Sequence, residues 1–155
     1  MYTPRPAVTR IAEDVHELLA EDPHALADIE LTNSTEILLQ LRNQLDAVLV
    51  RQLQVIDVRD ATVDEAGRAT RGWLVEDLLL SGRDASRYLT VARSLPEHRE
   101  IDTALGAGRL TLEHARVITY AVAKAPAGLR DVIEKELVKA SEVCDPGRLG
   151  QFTAS

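Results

Sequence analysis

Apolar residues recur at three- and four-residue steps along most of the chain, and no segment sustains a period-two alternation. Val8, Ile11, Val15, Leu18 and Leu19 predict an amphipathic helix over residues 7–20, which "EDPHALADIELT" interrupts with Pro23 as the stop. Asn33 followed by Glu36 has capping-box spacing. Behind it Ile37, Leu38, Leu41, Leu45, Val48, Leu49, Leu53 and Ile56 predict a helix of about six turns that ends in "ATVDEAGRAT", with Gly67 as a turn. Trp73, Leu74, Leu78 and Leu79 mark a short helix over about 70–80, and Ser81 with Asp84 starts the next, through Leu95. Pro96 sits where a first helical residue belongs and predicts a helix to Leu105, stopped by Gly106 and Gly108. Thr111 caps "LEHARVITYAVAKA"; Pro126 ends it, and Leu129, Val132, Ile133, Leu137 and Val138 predict one helix more. The fold class is therefore all-α: a single multi-helix domain of about seven helices, with a helix-turn-helix-like pair near its middle. Within it, residues 1–32 read as an acidic N-terminal helix and linker and 33–143 as the helical core. Residues 144–155, where Asp145 and Pro146 resemble a helix start, read as the beginning of a further helix cut short.

Composition agrees with this pattern. Aromatics make up 3% of the 155 residues, so the core must come from Leu, Val, Ile and Ala, which suits helices better than a β-sandwich. The one cysteine, Cys144, excludes an internal disulfide and a cysteine-based zinc cluster, and points to a reducing cytoplasm. No run approaches the length of a membrane span, so no membrane partner is expected.

Charge changes the picture in one place. Residues 1–67 hold five arginines against thirteen acids, whereas residues 68–120 hold eight against seven. Within a chain of net charge −7, the middle third is where an anionic partner would bind. There the helix after the "LSG" turn places Ala85, Tyr88, Leu89, Ala92 and Leu95 on one stripe. Arg83, Ser86, Arg87, Thr90, Arg93 and Ser94 fall on the opposite one. A short helix, a tight turn containing Gly82 and a second helix carrying arginines match the layout of a helix-turn-helix. On that reading the nucleic-acid-binding residues are Arg83, Ser86, Arg87, Thr90 and Arg93, and the partner is double-stranded DNA. The same stripe also fits a merely solvated helix face.

Read in order, "GWLVEDLLLSGRDASRYLTVARSLPEHREIDTALGAGRLTLEHARVITYAV" resembles the bacterial family catalogued as domain of unknown function 222 (DUF222). Many of its members carry a separate HNH endonuclease module towards the C-terminus. The matching features are Trp73 with Leu74, Ser81 opening a helix with Ala85, "VARSL" with Pro96, "ALGAGRLT" and "EHARVI". The long Leu-rich helix, with Arg51 and Asp57, also fits. The 73–118 stretch is similar as well to the helix-turn-helix region of ParB-type partition proteins. The resemblance implies a non-catalytic helical domain that assists DNA recognition. Any cutting residues would lie beyond Ser155, since four scattered histidines and one cysteine do not make an HNH site. Self-association, or docking on a C-terminal nuclease module, is the alternative that the Leu-rich helix and the acidic first third suggest.

Other chemistry falls away on inspection. His16 and Glu17 begin an HExxH pattern whose second histidine position is Ala20. Asp57, Asp60 and Asp64 share a helix face but lack a calcium-loop spacing. His114 has no nucleophile placed beside it and reads as a packing or hydrogen-bonding residue. Gly106 and Gly108 lack the rest of a phosphate loop, and Trp73 reads as a core anchor. The sequence calls for no catalytic residue, no cofactor and no metal.

Overall fold

A computed structural model describes residues 2–154; Met1 and Ser155, the ends of the chain, fall outside them. The described residues form nine α-helices and no strand. These are α1 (Pro6–Ala20), α2 (Asp28–Arg59), α3 (Ala61–Ala66), α4 (Thr70–Gly72), α5 (Gly82–Ser94), α6 (Arg99–Gly106), α7 (Leu112–Ala123), α8 (Arg130–Ser141) and α9 (Pro146–Ala154). A π-helical turn, Trp73–Asp77, prolongs α4. The chain divides into two compact units at residues 38/39, within α2.

The first unit holds α1, a 3-10 turn at Pro23–Ala25 and the first turns of α2. Pro6 opens α1, and the Asp22 side chain caps the turn by accepting from the His24 N–H at 3.0 Å. None of its described residues is buried: of the predicted apolar stripe, Val8, Ile11, Val15 and Leu18 stay 44–46% exposed and Leu19 78%.

The second unit is built round α7, which packs against α5, α6, α8 and α9. Its core is aliphatic, and Leu89, Ile101, Leu105, Leu110, Ile118 and Leu149 are almost fully buried. Each such side chain contributes about 1.5–3 kcal/mol on leaving water. The Thr111 cap forms as its position predicts. Its hydroxyl accepts from the His114 N–H at 3.1 Å, and its own N–H donates to His114 Nδ1 at 3.1 Å. His114 Nε2–H then donates to the Cys144 carbonyl at 2.8 Å. Both ring nitrogens are thereby occupied in tying the start of α7 to the chain before α9. Leu149 brings α9 into the same core, so residues 144–154 pack as part of the second unit.

Besides the separate short helix α3 within "ATVDEAGRAT", the structure differs from the sequence pattern in four places. First, α2 begins at Asp28 and not at Asn33. Asp28 and Glu30 occupy its first turn, where the helix dipole favours anions. Asn33, the expected cap, therefore lies inside the helix, and the hydroxyl of the next residue, Ser34, donates back to the Glu30 carbonyl at 2.6 Å. Second, the apolar stripe predicted for α2 is buried only towards its end, at Leu53 and, in part, Ile56. Leu41, Leu45, Val48 and Leu49 are 41–47% exposed, while Ala47, Val50 and Leu53 are buried. The inward face is continued by polar residues, because Gln40, Asn43 and Gln44 donate to the carbonyls of Ala107, Gly108 and Gly106, each at 3.2 Å. Those carbonyls lie at the end of α6, where no helical donor remains for them. Third, Pro96 lies inside a 3-10 turn, Leu95–Glu97, closed by the His98 N–H on the Leu95 carbonyl. α6 starts only at Arg99. Fourth, Gly82 is the first residue of α5, and the turn before it reverses at Leu79, whose φ is +60°. A leucine in the left-handed region, 83% exposed, is a strained residue that the α4–α5 connection holds in place.

Candidate nucleic-acid interface

α5 rests on its neighbours through Ala85, Leu89, Ala92 and Leu95, the stripe that the spacing predicts. Val91 is buried with them. Tyr88 lies partly buried against the same core and donates its hydroxyl to Asp46 Oδ1 at 2.7 Å. Burial, and then that carboxylate, push the phenol far above its ordinary pKa, so it stays protonated. Ser81 caps the helix by accepting from the Asp84 N–H at 3.0 Å.

This packing turns Arg83, Ser86, Arg87 and Thr90 outward, and they line one concavity of about 570 Å³ together with Glu113 and Arg116 of α7. Ser86 Oγ accepts a long bond from Arg71 Nε at 3.4 Å, which adds a fourth guanidinium at the edge. Arg116 clasps Glu113: its Nε donates to Oε1 at 3.0 Å and to Oε2 at 3.1 Å, and its Nη2 to Oε1 at 2.6 Å. Arg87 Nε lies 2.8 Å from Glu113 Oε2 as an ion pair, and Arg87 Nη1 donates to Asp84 Oδ1 at 3.4 Å. The Arg87 Nε–Glu113 approach is off the hydrogen-bond axis, so this buried Nε–H has no acceptor among the described residues. The bond from Arg116 holds the Glu113 carboxyl below its ordinary range, helped by the charges of Arg116, Arg87 and Arg83.

Arg93 stands elsewhere. At 100° per residue it lies about 120° round the helix from Arg87, and it reaches the C-terminal end of α2. There its Nε and Nη2 donate to Asp57 Oδ2 and Oδ1 at 2.9 and 3.2 Å. The bond from Arg93 in turn keeps the Asp57 carboxyl below its usual range. The expected site thus divides: Arg83, Ser86, Arg87 and Thr90 converge, and Arg93 is committed to an intramolecular pair. Glu113 and Arg116 belong to the concavity although the stripe on α5 does not point to them. In the sequence they show only as the i, i+3 charge pair within "EHARVI".

Among the described residues no three His, Cys, Asp or Glu side chains are placed to hold a metal, and no helix is long and apolar enough to cross a membrane. Fold and site define the class of an all-α protein with a short helix, a turn and an arginine-bearing second helix. No family model, curated protein or solved structure matches the chain.

Proposed function

We propose that this chain is a non-catalytic helical domain of a bacterial HNH-nuclease-type protein of the DUF222 kind, acting in the cytoplasm and assisting DNA recognition. The observation that carries this reading is the convergence of Arg83, Arg87 and Arg116, with the hydroxyls of Ser86 and Thr90, on one concave surface beside the α4–α5 turn. Guanidinium groups and hydroxyls so arranged suit phosphate oxygens of a duplex backbone. The resemblance over 73–118 supports the nuclease context, and cutting belongs in this reading to a separate HNH module.

The test is fluorescence anisotropy with labelled duplex DNA across a salt series. Replacing Arg83, Arg87 and Arg116 by alanine is expected to weaken binding and to flatten the salt dependence by about one unit of slope for each phosphate no longer neutralised. Arg93→Ala is the internal control and should leave the slope unchanged. Binding indifferent to the triple replacement would remove the reading.

A second reading, self-association or docking on another protein, draws on the apolar side chains left uncovered. These are Val8, Ile11, Val15, Leu18 and Leu19 in the first unit, and Leu41, Leu45, Val48 and Leu49 in the second. Contiguous exposed apolar side chains mark interaction surfaces. Light scattering is expected to give a mass above the 17.0 kDa of one chain as concentration rises; a constant monomer mass would count against self-association.

A further inference from the structure

The concavity between α5 and α7 already contains an anion of its own. Glu113 reaches into it from the first turn of α7, and two guanidinium groups converge on its carboxylate, from Arg116 on the same helix and from Arg87 on α5. The charge of Arg83 acts on it as well. A carboxylate and a phosphodiester each carry one negative charge and offer two exposed oxygens to a guanidinium fork. Glu113 therefore stands where a backbone phosphate would bind.

We propose that Glu113 is a built-in competitor: its carboxylate occupies the phosphate position of the α5–α7 concavity, and a DNA phosphate binds there by displacing it. This rests on the DNA-recognition reading above and adds the regulation of that site. Three features of the site favour such an exchange. The Glu113 side chain is 31% exposed and does not belong to the buried core, so it can swing into solvent without breaking that core. The arginines exceed the carboxylates around it, Arg83, Arg87 and Arg116 against Glu113 and Asp84, so the site is still cationic with Glu113 in place. The unsatisfied Arg87 Nε–H shows that Glu113 fits the arginines imperfectly. A tetrahedral phosphate, with oxygens in several directions, would supply the missing acceptor.

A purely structural role makes the opposite prediction. If Glu113 only fastens α7 to α5, removing its charge would misplace Arg87 and Arg116 and weaken DNA binding. The experiment compares the wild-type chain with Glu113→Gln and Glu113→Ala, using fluorescein-labelled duplex DNA and anisotropy over a salt series. Circular dichroism melts check that each variant is folded. Both replacements are expected to tighten binding about tenfold at low salt and to steepen the salt slope by about one unit, the signature of one further bound phosphate. The Arg83, Arg87 and Arg116 triple replacement in the Glu113→Gln background should abolish the gain. If the wild type binds through those arginines and neither Glu113 variant binds more tightly, the competitor role is overturned while DNA recognition stands. If neither wild type nor variants bind at low salt, DNA recognition itself has failed and the competitor role falls with it. Binding by the variants alone would support a site held shut by its own carboxylate.

Discussion

Gly108→Val is expected to destabilise the second unit by about 3–5 kcal/mol, more than any surface change described above. Two causes add. Gly108 has φ +73°, a conformation that costs an L-residue about 1–2 kcal/mol and a β-branched one most. A Cβ at this position would also fall 2.6 Å from Gln40 Cγ and 2.8 Å from the Gln40 carbonyl oxygen, closer than side chains approach. Relief requires α2 to move away from the end of α6, which breaks the bonds that Gln40, Asn43 and Gln44 donate to residues 106–108. Each such bond is worth about 1 kcal/mol. Urea denaturation followed by far-ultraviolet circular dichroism measures this as a lower midpoint with the slope unchanged. A loss under about 1 kcal/mol would mean that the α2–α6 contact is not formed as described.

Leu89→Ala is expected to cost about 3–4 kcal/mol, through the transfer energy of the missing methyl groups and the cavity left behind. Leu89 is 1% exposed and sits on the side of α5 opposite Arg87, so it sets how α5 faces α7. DNA affinity should fall with it, because Arg87 and Arg116 converge only while that packing holds. The same melts and titrations report both effects. A variant that keeps wild-type stability would show that α5 is anchored by something other than its buried stripe. Arg93→Ala, by contrast, removes an exposed pair with Asp57 and should cost no more than about 1 kcal/mol.

The contrast between Leu89 and Leu45 shows how far periodicity carries. In α5 the apolar stripe is narrow and lies on the side opposite Arg83 and Arg87, so spacing alone identifies the buried face. In α2 nearly half the positions are apolar, and the most regular series in the second unit, Leu41, Leu45 and Val48, points away from the core. The buried face is the less hydrophobic one, because α2 must also present amides to the bare carbonyls at the end of α6. No rule of spacing within α2 encodes that demand, which arises 62 to 67 residues further on. Pro96 teaches a related lesson. A proline suits both a first helical turn and a 3-10 turn, and the choice here falls to the packing around Leu95 and His98.

By itself, the sequence determined that this protein is helical, where most of its helices lie, that Ser81 and Thr111 cap two of them, and that Arg83, Ser86, Arg87 and Thr90 share one face of α5. These are consequences of a 3.6-residue repeat and of local capping, both written into neighbouring residues. Only the tertiary structure decided which face of α2 is buried, that Arg93 is held by Asp57, and that Glu113 and Arg116 complete the concavity with Glu113 as its resident anion. Each of these depends on where one helix lies against another. Side-chain pairs separated by 26 to 36 residues meet through packing of the whole unit, and no local pattern records it.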